Sequence, residues 1–135
     1  MSSNKFFGLN IAVNNLEEAK KNFESLFKVT PEYIGEQEFA FPNLEGYQFD
    51  LNGIKIHIVA SKTEDTSIAN FVKKKGEGVF LVSIQTDDID KEVERVKAET
   101  TAQFVTETTD VGWCKVNFIH PKTMHGVQVE MIQTK

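Results

Sequence analysis

The sequence predicts an α+β domain of two βαβββ-like units whose strands form a curved, mostly antiparallel sheet around a cleft. Three observations carry this. Gly8-Leu9-Asn10-Ile11-Ala12-Val13-Asn14-Asn15-Leu16-Glu17-Glu18 is an alternating run, a polar pair and the start of a helical pattern, and residues 81–91 repeat that form. Each copy leads into a helix and then into further strand-like stretches. Asn52-Gly53, set between two alternating runs, is a tight-hairpin signal. The units are expected over residues 5–61 and 78–133, inside a single domain spanning residues 1–135.

The first strand is expected over residues 6–13. Asn15 can cap the helix that follows, with Glu18 three residues on in capping-box position. Leu16, Ala19, Phe23, Leu26 and Phe27 fall on one helical face, and Glu17 and Glu18 sit in the first turn, where the helix dipole favours negative charge. Pro31 marks the exit. Strands are expected over residues 33–41, 46–51 and 54–60. A short helix over Ser67–Lys75 turns Ile68, Phe71 and Val72 inward, and Gly76-Glu77-Gly78 ends it. The second unit reads as a strand over 79–86, then a helix over Ile89–Glu99 with Ile89, Val93 and Val96 as its buried stripe. Strands over 104–108, 113–119 and 127–132 complete it, and Pro121 interrupts the last two.

Size and composition fit one core. The chain has 135 residues, 40% of them hydrophobic. Eleven Phe against one Trp and two Tyr point to an aromatic-rich interior. A net charge of −5 argues against nucleic acid as a partner. No apolar run approaches the roughly 18 residues that span a membrane, and the N-terminal residues lack the apolar core of a signal peptide. One cysteine, Cys114, rules out an internal disulfide and fits a reducing, cytoplasmic setting. The expected partner is a small molecule.

Two further segments carry a resemblance. Asp65-Thr66-Ser67-Ile68-Ala69-Asn70-Phe71-Val72-Lys73-Lys74 is followed by Gly76-Glu77-Gly78, and Phe118-Ile119-His120-Pro121-Lys122 by Gly126-Val127-Gln128-Val129-Glu130. With the duplicated unit, they make the chain resemble the vicinal oxygen chelate superfamily of glyoxalases, bleomycin-resistance proteins and extradiol dioxygenases. Within it the chain is most similar to the methylmalonyl-CoA epimerases. The resemblance implies a dimer and four metal ligands on the concave sheet face. The first, a His in the family, falls on Gly8; the second, Gln or Glu, on His57; the third, a His, on Leu81; the fourth, a Glu, on Glu130. A catalytic zinc takes three protein ligands and keeps a position for water. His57 and Glu130 alone do not supply that, so no cofactor is expected. Epimerisation beside a thioester develops an enolate whose charge the family's metal stabilises; a single hydrogen-bond donor supplies only about 3 kcal/mol in its place. The family's acid/base carboxylate lies on the third strand, where Glu45 and Gly46 match equally.

Strand alternation gathers the candidate residues. Asn10, His57, Ser83, Gln85, Lys115, Asn117, Gln128 and Glu130 are expected on one concave face, with Ile11, Ile56, Ile58, Ile84, Val116, Phe118 and Val129 under the helices. His57 and Glu130 are the groups there able to move a proton; the others would bind ligand. Plainer roles stand beside these: His57 as a half-buried strand histidine that only hydrogen-bonds, and Glu130 as a solvated edge carboxylate. His120 and His125, with Pro121 and Gly126 between and beside them, read as turn residues. Lys73-Lys74-Lys75 suits a helix C-terminus, or the phosphates of a CoA-like ligand. Gly76-Glu77-Gly78 lacks the third glycine of a dinucleotide fingerprint, and Cys114 reads as a bystander. Two functions of different class remain open: a small-molecule-binding protein without a complete metal site, and a divergent epimerase or glyoxalase-type lyase with a rearranged one.

Overall fold

A computed structural model describes residues 3–135. The described residues form β1 (Lys5–Ala12), α1 (Leu16–Phe27), β2 (Glu32–Ile34), β3 (Leu44–Leu51), β4 (Ile54–Ser61), α2 (Ser67–Lys75), β5 (Gly78–Gln85), α3 (Ile89–Glu99), β6 (Thr109–Asp110), β7 (Cys114–Ile119) and β8 (Val129–Thr134). The chain divides into two compact units. One is Gly8–Phe80; the other joins the described residues up to Phe7 with Leu81–Lys135.

In the Gly8–Phe80 unit the strand order is β2-β3-β4-β1. β2/β3 and β3/β4 are antiparallel, and β4/β1 is parallel. Asn52 and Gly53 make the β3–β4 hairpin turn, which sets Leu51 opposite Ile54. α1 starts where Asn15 Oδ1 accepts the Glu18 N–H at 3.0 Å, with Glu17 and Glu18 complementing the helix dipole. It stops at Lys28, which turns left-handed and donates its N–H to the Glu24 carbonyl. Leu16 and Ala19 of α1 pack on Phe49 and Ile58, with Ile11, Phe23, Phe27 and Ile56 around them. Phe49 and Ile58 are fully buried, each contributing roughly 2–3 kcal/mol of apolar burial. α2, capped by Thr66, covers the opposite sheet face, where Ile68 meets Ala12, Leu44 and Val59. Alternation along β1 and β4 therefore serves two helices, one on each face.

The other unit has strand order β5-β8-β7-β6. β5/β8 is parallel, and β8/β7 and β7/β6 are antiparallel. Asp88 caps α3 by accepting the Lys91 N–H at 3.2 Å. The expected stripe of Ile89, Val93 and Val96 is buried against Ala102, Ile119 and Met131, with Val129 and Phe104 beside them.

Two expected strands are shorter than their sequences suggest. Residues 33–41 yield only β2. A 3-10 turn at Glu36–Glu38 follows it, and the Glu36 carboxylate accepts the Asn43 N–H at 2.8 Å, folding the segment back. Residues 104–108 make a single bridge, Phe104 to Ile119, and strand pairing resumes at Thr109–Asp110. The Gly76-Glu77-Gly78 segment has a structural task. Glu77 Oε2 accepts the Asn14 N–H at 2.8 Å, tying the linker to the turn before α1.

Candidate functional site

Within Gly8–Phe80, the sheet face away from α1 carries a polar row. Asn10 lies opposite His57 across β1/β4, and Gln48 lies opposite His57 across β3/β4. His57 Nε2 is 2.9 Å from Gln48 Oε1, so the ring nitrogen donates to the amide oxygen. Burial pushes the His57 pKa down to about 4, and the nearby Lys55 charge adds to the shift. The imidazole is therefore neutral at pH 7, with Nδ1 left as an acceptor. Lys55 itself is tied to Asp50, Nζ to Oδ2, at 2.5 Å. The hairpin register fixes all of this. Counting back from Leu51 opposite Ile54 puts Gln48 beside His57, a partner that alternation within one strand does not reveal.

Two glycines occupy the same alternating rows. A Cβ on Gly8 would sit 1.8 Å from the Lys55 carbonyl oxygen, and one on Gly46 would sit 2.4 Å from that of Ile58. Both positions are closed to a side chain as the backbone stands. The two third-strand candidates fall on opposite faces. Gly46, opposite Val59, shares the His57 face; Glu45, opposite Ala60, lies on the α1 face and accepts a hydrogen bond from the Tyr33 hydroxyl at 3.1 Å. The His57 face thus holds no carboxylate at the matching position.

In the other unit, Ser83 lies opposite Glu130, and Gln85 follows on the same side of β5. Ser83 Oγ donates to Glu130 Oε1 at 2.6 Å, and Gln85 Nε2 donates to Thr134 Oγ1 at 2.9 Å. Burial raises the Glu130 pKa, and the Ser83 bond offsets only part of the rise. Gln128 precedes β8 and stays in step with Glu130, its carbonyl accepting the Val82 N–H at 3.0 Å. Cys114 is packed away. Burial, and then the Glu130 charge, push its thiol up to about 12, which leaves it unreactive.

Lys115 and Asn117 do not belong with this set. Lys115 opposes Gln133 and Asn117 opposes Met131, so both lie on the α3 face; Val116 and Phe118 stand on the Glu130 face instead. Alternation separates the two faces of β7 correctly, but polarity assigns them wrongly, because both are covered. Val116 is 3% exposed and Asn117 is 2% exposed. The buried amide is satisfied locally: Asn117 Oδ1 accepts the Phe118 N–H at 2.8 Å, and Nδ2 lies 3.5 Å from Thr108 Oγ1. Phe118, directly opposite Glu130, is the neighbour that polarity-based assignment misses. His120 accepts the Lys122 N–H on Nδ1 at 3.3 Å, and His125 takes a left-handed backbone, so both serve the turn.

The resemblance marks Gly8, His57, Leu81 and Glu130 as the family's metal-ligand positions. Gly8 and the buried Leu81 offer no donor atom. Among the described residues, no three His, Cys, Asp or Glu side chains gather as a ligand set. No helix among them is long and apolar enough to cross a membrane.

Comparison with known proteins gives three kinds of match. The family model described as Glyoxalase/Bleomycin resistance protein/Dioxygenase superfamily matches residues 9–118. A mitochondrial methylmalonyl-CoA epimerase of Dictyostelium discoideum is 28% identical over 125 residues, which is 90% of this chain and 73% of that protein. Among solved structures, a hypothetical protein of Bacillus halodurans C-125 superposes with a TM-score of 0.89 at 23% identity, over 99% of this chain and 96% of that one. A variant of the Streptomyces coelicolor methylmalonyl-CoA epimerase, in complex with 2-nitronate-propionyl-CoA, gives 0.87 at 18% identity, over 98% and 96%. At these identities the solved structures establish the α+β fold.

Proposed function

The chain belongs to the glyoxalase/bleomycin resistance protein/dioxygenase superfamily, and from that premise we propose that it binds a small organic molecule without the four-ligand metal site that the resemblance implies. The observation that carries this is Gly8. The first ligand position is closed by the Lys55 carbonyl 1.8 Å from where a Cβ would stand. Leu81 leaves the third position without a donor, and Gly46 leaves the strand-three position without a carboxylate. The polar groups that remain suit neutral hydrogen bonding: His57 with Gln48 and Asn10 on one unit's sheet face, and Ser83, Glu130 and Gln85 on the other's. We assign it no resident metal, and a cytoplasmic homodimer on the resemblance alone.

A second reading, a divergent epimerase or lyase, is favoured by one feature. Burial raises the pKa of Glu130, which lies between Ser83 and Phe118 on neighbouring strands, and this suits a group that holds and releases a proton. Solvent deuterium exchange into methylmalonyl-CoA separates the two. The binding reading expects no exchange above the uncatalysed rate in the native protein. Exchange that is present in the native protein and lost in Glu130→Gln or His57→Ala would establish the enzyme reading instead.

A further inference from the structure

β1 and β4 are parallel neighbours, with Ala12 opposite Val59, and they send their helices to opposite faces of the sheet. β1 ends at Ala12 and feeds α1, which packs on the Ile11 and Ile58 face. β4 ends at Ser61 and leads to α2, which packs on the Ala12 and Val59 face. In open α/β sheets, this divergence leaves a crevice beyond the carboxyl ends of the strands, and ligands bind there. A cavity of about 340 Å³ lies at that point in this chain. Its volume is at the small end of ligand pockets.

The lining specifies a chemistry. Val13, Ile68 and Val72 give it an apolar floor, and Asn14, Glu64 and Lys73 are among its polar walls. Among the described residues, the charged groups of Glu64 and Lys73 form no hydrogen bond or ion pair, including with each other. We propose that this crevice is a second ligand site, which takes a small zwitterion with an aliphatic body, of the chemical class of the aliphatic α-amino acids. Lys73 receives the carboxylate, Glu64 the ammonium, and the three apolar side chains the hydrocarbon. A simple anion would meet the Glu64 charge and a simple cation that of Lys73, so only the zwitterion satisfies both. The site is separate from the His57 row: Ser61 lies four residues further along β4, about 13 Å at strand rise. It does not rest on the function proposed for that row.

The test is a titration of the isotope-labelled full chain, read by backbone amide chemical shifts. L-leucine is the probe, with isocaproate, which lacks the ammonium, and isopentylamine, which lacks the carboxylate. Leucine should give saturable shifts centred on Val13, Ser61, Ala69 and Lys73. Each analogue should bind roughly tenfold more weakly, the loss of one charge-assisted contact. Lys73→Gln and Glu64→Gln should each weaken leucine binding similarly while leaving the melting temperature unchanged, since both side chains are exposed. Absence of shifts at these amides, isocaproate binding as tightly as leucine, or full binding by both variants would each overturn the proposal.

Discussion

Lowering the pH from 6.5 to about 4 is expected to cost the native protein about 2–3 kcal/mol that a His57→Gln variant does not lose. Burial holds the folded-state His57 pKa at about 4, against 6.5 for the unperturbed side chain. Above 6.5 the imidazole is neutral in both states and its folding contribution is intact. Between 6.5 and 4 the unfolded chain takes up a proton that the folded chain refuses, so stability falls as acid is added. Below 4 both states are protonated and the loss is complete. The full shift would correspond to a little over 3 kcal/mol; partial exposure of the ring lowers the figure. Glutamine at position 57 can still donate to Gln48 but does not titrate. Asp50, Glu36, Glu92 and Asp110 all have lowered pKa values, chiefly from their hydrogen bonds, so they lose stability as pH falls in native and variant alike. Chemical denaturation of both proteins across this range isolates the histidine. Parallel curves would show that His57 is not held neutral by the fold.

Gly8→Ala is expected to destabilise the protein by about 3 kcal/mol, at the upper end of the usual overpacking cost. The atom that would be struck is a backbone oxygen in the neighbouring strand, Lys55 O, and it cannot rotate away as a side chain could. Relief requires β1 to move off β4, weakening the parallel ladder that runs from Gly8–Lys55 to Ala12–Val59. Thermal melting of Gly8→Ala against the native chain checks this. A change smaller than about 1 kcal/mol would mean that the strand yields easily, and the closed first ligand position would lose its physical basis. The same contact makes Gly8→His with Leu81→His a poor route to a metal site.

Much of the architecture is legible in the sequence because local signals agree with tertiary packing. Asn15 caps α1 as its spacing with Glu18 indicates, α3 runs over Ile89–Glu99, and Asn52-Gly53 sets the register that brings Gln48 to His57. The failures share a cause. Residues 33–41 alternate like a strand, but the Glu36–Asn43 bond turns the chain. In β7, Val116 and Phe118 look like the helix-facing set, yet Ile119 supplies that contact and Phe118 stands opposite Glu130. Alternation gives the two faces of a strand but not which face a helix covers when both are buried. The closure at Gly8 is also invisible, because it depends on where the Lys55 carbonyl points in another strand. A glycine in a strand signals a close approach without saying to what.

The most direct test of the central claim is metal content. Tag-free protein purified without added metal should contain far less than one zinc, cobalt or nickel per chain on elemental analysis, and titration with zinc should show no saturable site involving His57 and Glu130. One metal per chain, retained through dialysis and lost in both His57→Ala and Glu130→Gln, would contradict the account and make the protein a metal-dependent member of its superfamily.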